Sequence, residues 1–267
     1  MRQLLTILII TILFQGFSQN SYRFRNYTLT NGLSQSVVTS IVQDEVGTLW
    51  IGTQDGLNRF DGQSFENFNS DNTKGISNEY IHTSIVGKNN TIWFGSSNGL
   101  MCYDSRQEKF TTYGLENNTA LQVQSLAEDK NGNIWIASAS NGIFMFDLNT
   151  KKIIPKKNQI PTKKLAFIHF ADDNSLFVGT EDHGLFKVNT NSGTTYTFQI
   201  PAKKAGGLMV NTMEHISDKK WLLGTTQGLF ILDELTSKVE AFLPELDAAY
   251  GMTNISDIFV ESDKTTF

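Results

Sequence analysis

The sequence predicts an all-β fold, a β-propeller built from four-stranded antiparallel blades. Three observations support this prediction. A phrase of aromatic, small and glycine residues returns about every 43 residues. Glycine (21) and phenylalanine (19) are abundant, and proline (4) is scarce. This composition suits many short strands joined by tight turns, and a period in the forties with strand-like content is typical of propeller blades rather than of helical solenoids.

The N-terminus has the pattern of an export signal. Arg2 supplies a positive charge, residues 4–14 form a short apolar core, and Gly16 and Ser18 are small residues at the cleavage spacing. The apolar run of about 11 residues is well below the roughly 20 that are needed to span a bilayer. We therefore expect a signal peptide at residues 1–18, a mature chain that begins near Gln19, and an exported protein.

The repeated phrase places one aromatic residue on the second strand of each blade. These residues are Trp50, Trp93, Trp135, Phe177 and Trp221, at steps of 43, 42, 42 and 44 residues. A ring at this position is expected to fill the wedge between adjacent blades. The small residue two places later (Gly52, Gly95, Ala137, Gly179) favours close packing of one sheet on the next. We expect the five rings to be buried at equivalent positions; surface platforms for sugars are the alternative.

The repeat also defines blade bounds within a propeller region at 19–267. The predicted blades are at about 37–68, 81–113, 123–154, 165–198 and 208–242, with the start of a sixth at 255–267. The stretch Phe24-Arg-Asn-Tyr27 matches the fourth strands at 65–68 and 110–113. Residues 22–29 are therefore predicted to form an orphan outer strand, of the kind that completes the last blade of a closed propeller. The propeller is predicted to be incomplete at the C-terminus.

Strand direction sorts the connections onto two faces. The first-to-second turns, with Asp44 and Asp129, lie on one face, and the second-to-third hairpin tips lie on the other together with the inter-blade loops. These loops vary in length and chemistry, and variable loops on a rigid scaffold usually carry recognition. The predicted ligand-binding residues are Gln35, Glu79, Tyr80, Asn118, Lys203 and Tyr250 in the loops, and Asp55, Asn98, Asn141, Asp182 and Gln227 at the hairpin tips. Turn chemistry and solvated surface are the alternative explanations.

Charge and side-chain inventory exclude several functions. The net charge of −5 leaves no basic face for a phosphate backbone, so nucleic acid is not an expected partner. A lone cysteine, Cys102, permits no intrachain disulfide. The four histidines lack metal-type spacing, and His183 beside Asp182 occupies an ordinary hairpin-tip position. We predict no metal, no cofactor and no catalytic residue.

The stretch from Val38 to Asp61 closely resembles the two-component regulator propeller repeat. The resemblance rests on Asp44 and Gly47 three residues apart, on Trp50 three residues later, on the Gly-Thr-x-x-Gly-Leu hairpin at 52–57, and on the aromatic-Asp ending at 60–61. It recurs across nearly the whole mature chain. The fourth unit departs from it, with Phe177 for tryptophan and a displaced aspartate, and the second unit lacks the turn aspartate.

In that family such repeats form the periplasmic sensor region of hybrid two-component histidine kinases, and many members respond to oligosaccharides. The resemblance therefore implies an N-terminal periplasmic ligand-sensing propeller at the inner membrane, with no enzyme activity of its own and a kinase domain beyond Phe267. The implied partners are an oligosaccharide or other small extracellular ligand, the remainder of the propeller, a second propeller, and a second copy of the parent protein.

Three alternatives remain at this level. The first is an exported or cell-surface propeller that serves as a protein-interaction scaffold without a kinase. The second is a sialidase-like hydrolase, whose turn aspartate should lie five residues before the aromatic, whereas Asp44 lies six before Trp50. The third is a quinoprotein dehydrogenase, which would need a Gly-Lys pair ahead of the tryptophan and a calcium site.

Overall fold

The computed structural model describes residues 24–116, 118–172, 174–201, 207–243 and 254–260. These residues contain five sheets of four consecutive antiparallel strands, which we number as blades 1 to 5. Blade 1 has β1 (Val38–Gln43), β2 (Leu49–Thr53), β3 (Leu57–Phe60) and β4 (Phe65–Phe68); blade 2 has β5 (Ile81–Val86), β6 (Ile92–Ser96), β7 (Gly99–Asp104) and β8 (Lys109–Tyr113). Blade 3 has β9 (Val123–Glu128), β10 (Ile134–Ser138), β11 (Gly142–Asp147) and β12 (Lys152–Pro155); blade 4 has β13 (Leu165–Asp172), β14 (Ser175–Thr180), β15 (Leu185–Asn189) and β16 (Thr195–Phe198); blade 5 has β17 (Val210–Ser217), β18 (Lys220–Thr225), β19 (Gly228–Asp233) and β20 (Lys238–Ala241). The all-β propeller fold is thereby confirmed, while the predicted signal peptide at 1–18 lies outside the described residues.

Turn chemistry separates the strands as the sequence predicted. In the β1–β2 turn, Asp44 Oδ1 accepts hydrogen bonds from the backbone N–H groups of Val46 and Thr48, at 3.1 and 2.9 Å. Gly47 follows with a φ of 91°, a left-handed conformation that glycine adopts without a steric penalty. Neighbouring strands therefore reverse direction tightly, and all pairings within the blades are antiparallel.

The first strands of successive blades lie against one another, so the blades are arranged around a common axis. Between them the repeated aromatic packs on the blade that follows. The ring of Trp50 lies 4.5 Å from that of Tyr103, and Trp93 lies 5.2 Å from Phe146. Phe177 is fully buried, and all five repeated rings are at most 5% exposed. Their predicted burial is confirmed, and a role as sugar platforms is excluded because sugars need an exposed ring face.

The small residue beyond the aromatic sets the distance between blades. A Cβ atom on Gly52 would lie 2.7 Å from Cγ2 of Ile81, the first residue of blade 2. A Cβ atom on Gly179 would lie 2.0 Å from the Phe167 ring and 2.6 Å from the carbonyl oxygen of Val210 in blade 5. Close sheet packing at this position is therefore confirmed, because any side chain there would push the sheets apart.

Trp221 is a correction to the predicted equivalence. In blade 1 the aromatic and the glycine are two residues apart and face the following blade together. In blade 5, Gly224 lies three residues after Trp221, and β18 pairs with β19 without a bulge. Leu222 therefore occupies the position that the aromatic takes in blades 1 to 4. Trp221 faces backward, with its ring 5.1 Å from Phe177 of blade 4.

The two ends of the described chain pack where the predicted extra strands would lie, although neither is assigned as a strand. The Tyr27 ring lies 4.9 Å from Phe60 and 5.6 Å from Phe65, so it covers the side of blade 1 that faces away from blade 2. Phe68 of blade 1 packs in the same way on Phe110 of blade 2. Ile255 packs on Gly224 as Ile81 packs on Gly52. The orphan strand and the sixth blade stay predictions, now supported by these contacts.

Candidate ligand-binding face

A β-bulge recurs at one position in every blade. The register of each inner strand shifts immediately after its first residue. The bulged residues are Thr39, His82, Gln124, Ala166 and Asn211. A bulged residue leaves the ladder, so its side chain is aimed away from the direction that strict alternation would give it. Because inner strands surround the axis, these five positions lie around its entrance on the hairpin-tip face, which we call the axial mouth.

Three blades contribute to one cavity of about 300 Å³ at the axial mouth. The lining residues are Gln124, Ala166, Met209, Asn211, Thr226, Asn254 and Ser256. None of these side chains is charged. Their amides and hydroxyls supply both donors and acceptors, and Asn211 Nδ2 already donates to Asn254 Oδ1 at 3.0 Å and to the Ile255 carbonyl at 2.7 Å. The cavity suits a neutral polar ligand, and its volume is at the lower end of the range for ligand sites.

A second polar cluster joins blades 1 and 2 at the same face. The Tyr80 side chain is 38% exposed, its ring lies 4.6 Å from that of His82, and its hydroxyl accepts a hydrogen bond from Gln54 Nε2 at 2.9 Å. His82 Nε2 lies 2.9 Å from Ser97 Oγ. Burial lowers the pKa of His82, so the imidazole is neutral at pH 7 and offers one donor and one acceptor.

The predicted hairpin-tip residues have clear roles in their turns. The backbone N–H groups of Asp55, Asn98 and Gln227 each donate to the hydroxyl two residues earlier, at 3.0, 3.1 and 2.9 Å. Asn141 Oδ1 accepts from two serine hydroxyls. Asp182 Oδ1 lies 2.8 Å from His183 Nδ1, and this hydrogen bond lowers the pKa of the carboxyl group. The side-chain bonds of Asn141 and Asp182 explain those two residue types as turn chemistry. Asp55, Asn98 and Gln227 contribute a backbone N–H that other residue types also supply, and the ligand-binding role of all five stays a prediction.

The predicted loop residues are spread along the same face. Gln35 Oε1 accepts from the Val37 backbone N–H. The Glu79 carbonyl accepts from Gly56 N–H at 2.8 Å, and a bond from the Ser70 hydroxyl lowers the pKa of its carboxyl group. Asn118 is exposed, and its backbone N–H donates to the Leu115 carbonyl. Of the described loop residues, Tyr80 is the one that contacts the axial mouth, through His82, while Lys203 and Tyr250 lie outside the described residues.

The axial residues His82, Gln124 and Asn211 were missed by the sequence analysis. Alternation along a strand assigns them to a sheet face, and a bulge is what removes them from it. The sequence nevertheless contains a pattern that marks these positions. Most inner strands begin with an apolar residue, then a variable residue, then a small polar residue. The triplets are Val38-Thr39-Ser40, Ile81-His82-Thr83, Val123-Gln124-Ser125 and Val210-Asn211-Thr212.

The opposite face has the larger cavity, about 500 Å³ between blades 1 and 2. Three of its four carboxylates have partners: Asp44 and Asp61 cap turns, and Glu66 pairs with Arg59 at 2.5 Å. In the part of the chain that the structure describes, no three His, Cys, Asp or Glu side chains are grouped to hold a metal ion. Burial raises the pKa of Cys102 to about 11, so its thiol is unreactive at neutral pH.

A sequence model of the two component regulator propeller family matches residues 32–55 and 117–140. These two segments are two component regulator propeller repeats. Residues of this chain are 54% identical over 50 positions to Histidine kinase P4 of Formosa agariphila, a match that covers 18% of this chain and 4% of the kinase. The matched units have their turn aspartates at Asp44 and Asp129, as the resemblance required.

Two solved structures from B. thetaiotaomicron share the fold of the repeats. The extracellular domain of a hybrid two component system superposes with a TM-score of 0.70 and 23% identity, covering 81% of this chain and 31% of that one. The extracellular domain of a one component system superposes with a TM-score of 0.69 and 25% identity, covering 84% of this chain and 30% of that one. The chain thus spans about a third of the length of these relatives. No helix among the described residues is long and apolar enough to cross a bilayer.

Proposed function

We propose that this chain is the ligand-sensing propeller of an exported two component sensor and that it binds its ligand at the axial mouth. The observation that carries the proposal is the convergence of Gln124, Ala166 and Asn211, from three blades, on one uncharged cavity. Support for the sensor role comes from the repeats and from the fold shared with extracellular domains of two component systems. In this proposal the propeller is periplasmic at the inner membrane, and a histidine kinase domain follows beyond Phe267.

The ligand in this proposal is an oligosaccharide. Sugar hydroxyls donate and accept, and amide side chains such as Gln124 and Asn211 match that pattern. The exposed Tyr80 ring supplies an apolar face at the rim on which a sugar ring can stack. In this proposal the propeller binds and reports its ligand without chemical conversion.

Calorimetry with hexasaccharides of glucose, xylose, mannose and galactose tests the proposal on the full chain. The variant Gln124→Ala/Asn211→Ala should weaken the best binder by about tenfold, since two side chains lose their bonds to the ligand. The matched control, Asn131→Ala/Asn149→Ala, removes two exposed amides from turns of the opposite face and should leave the affinity unchanged. Equal losses in both variants would locate the site elsewhere, and no binding of any hexasaccharide would remove the carbohydrate assignment.

A further inference from the structure

The outer side of blade 3 has a charge opposite to that of the whole chain, although the net charge of −5 led us to expect no basic face. Residues 151–164 contain six lysines and no acidic residue, whereas the chain has a net charge of −5. The six are Lys151, Lys152, Lys156, Lys157, Lys163 and Lys164, which we call the basic strip. All except Lys156 are exposed. More than a quarter of the 22 basic residues therefore lie in fourteen consecutive positions.

The strip is an ordered surface. It begins at the β11–β12 turn, follows the outer strand β12, and continues through the loop that leads into blade 4. That loop is held against blade 4 by a bond from Gln159 N–H to Thr195 Oγ1 at 3.1 Å and by contact of the Lys157 carbonyl with Gly193. Bonds from Ile160 N–H to Asn158 and from Lys164 N–H to Thr162 fix it internally. The backbone of the strip therefore loses little conformational entropy when a ligand binds.

Three of the six lysines already have a partner. Lys152 Nζ pairs with Glu116 at 2.8 Å, while Lys156 Nζ lies 4.9 Å from the centre of the Trp135 ring and Lys151 Nζ lies 5.9 Å from that of Phe146. Lys164 is close enough to Asp182 to lower the pKa of that carboxyl group. Lys151, Lys157 and Lys163 form no ion pair with any acidic residue that the structure describes. Lysines on an edge strand protect it from pairing with other chains, which accounts for those of β12 but not for those of the loop.

We propose that the basic strip binds an extended polyanion, such as a chain with repeated sulfate or carboxylate groups. The ammonium groups that follow one another along the outer side of blade 3 match a linear array of anions. The release of counterions favours binding. A membrane surface fits less well, because surface-bound segments insert apolar side chains, and Ile154, at 38% exposure, is the one large apolar side chain exposed within the strip. This site is separate from the axial mouth and from any ligand bound there.

Binding of dextran sulfate to the full chain tests the proposal, with vesicles of phosphatidylglycerol as the competing surface. Dextran sulfate should bind at about 50 mM salt and be strongly weakened at about 200 mM. The variant Lys151→Gln/Lys157→Gln/Lys163→Gln/Lys164→Gln should lose about tenfold in affinity at the lower salt concentration. It keeps Lys152 and Lys156 with their partners and loses only the exposed contacts of Lys151 with Phe146 and of Lys164 with Asp182, so its circular dichroism and melting temperature should stay close to those of the wild type.

The control removes the same charge elsewhere, at four exposed lysines: Lys74→Gln, Lys109→Gln, Lys220→Gln and Lys238→Gln. It should change the affinity by less than about twofold. Equal losses in the two variants would show a response to net charge alone and overturn the proposal. Strip-dependent binding to vesicles without binding to dextran sulfate would also overturn it in favour of a membrane surface. Neither result depends on whether neutral hexasaccharides bind.

Discussion

The indole Nε1 of Trp135 donates a hydrogen bond to Asp129 Oδ2 at 3.2 Å, which joins the turn of blade 3 to the buried ring of the same blade. Trp50 and Asp44 repeat the contact at 3.3 Å in blade 1. One aspartate thus caps the turn through its first oxygen and satisfies the buried N–H through its second. This double role explains why the aspartate and the tryptophan recur together in the repeat.

Replacing Asp129 by alanine should lower the free energy of unfolding by about 1–3 kcal/mol, because a buried indole N–H loses its partner along with the turn bonds. Chemical denaturation measures the change. Asp147→Ala is the control, since Asp147 caps a turn through Asn149 and Thr150 but has no indole partner. An equal loss in both variants would mean that the indole bond adds nothing.

Acid should weaken the same contact. Burial opposes ionisation of Asp129, yet hydrogen bonds from Asn133 and Trp135 hold the pKa of its carboxyl group below the ordinary value. A lowered folded pKa means that the stability is present above the unfolded value of about 3.9 and is lost as the pH falls through the folded value. Unfolding curves between neutral pH and acid should show a smaller loss in Asp129→Asn than in the wild type; an identical loss would contradict this assignment.

A different acid response is expected where blade 4 meets blade 5. Burial, and secondarily His215, lowers the pKa of His169, whose ring lies 5.3 Å from Trp221. The folded state therefore favours neutral imidazole, and stability is lost as the pH falls through the unfolded value of about 6.5 towards the lower folded one. His169→Gln should reduce the fall in melting temperature between neutral and mildly acidic buffer. The control variant, His183→Gln at an exposed hairpin tip, should show the same fall in melting temperature as the wild type.

Gly179→Ala should destabilise the protein by about 1–3 kcal/mol, because its Cβ must displace Phe167 or the backbone of blade 5. Thermal and chemical denaturation measure the loss. Gly114→Ala is the matched control, since a Cβ there meets no atom within 4 Å. It should change the stability by no more than about 0.5 kcal/mol. A tolerated Gly179→Ala would mean that blade spacing is less constrained than the packing indicates.

Tyr80 tests the rim of the axial mouth. Tyr80→Ala removes the exposed ring and should weaken the best hexasaccharide binder by about tenfold, whereas Tyr80→Phe loses only the bond from Gln54 and should change it by about twofold. Calorimetry on the full chain distinguishes the two. Equal effects of both variants would point to the hydroxyl, and no effect of either would exclude Tyr80 from the site.

The sequence predicted the fold well because each blade repeats its own turn and packing signals. Asp44, Gly47, Trp50 and Gly52 lie within nine residues of one another. Their spacing can be recognised without knowing which distant residues are in contact in the fold. Trp221 shows where this reasoning fails. One extra residue before Gly224 turns the ring to the other side of the sheet, and the spacing from Phe177 to Trp221 does not reveal that. The axial residues were missed for a related reason, since a bulge is defined by pairing with the neighbouring strand.

The packing of Tyr27 on Phe60 and Phe65 has a consequence for how the protein is made. Tyr27 and Leu33 precede blade 1 in the chain, so the cover for its free side leaves the ribosome, and any export channel, ahead of the surface that it protects. Each later blade then arrives on a completed neighbour, with blade 2 closing over Trp50 as it folds. We therefore expect blade 1 to fold with its Phe60 side already covered, so that only its Trp50 side stays exposed until blade 2 has been synthesised.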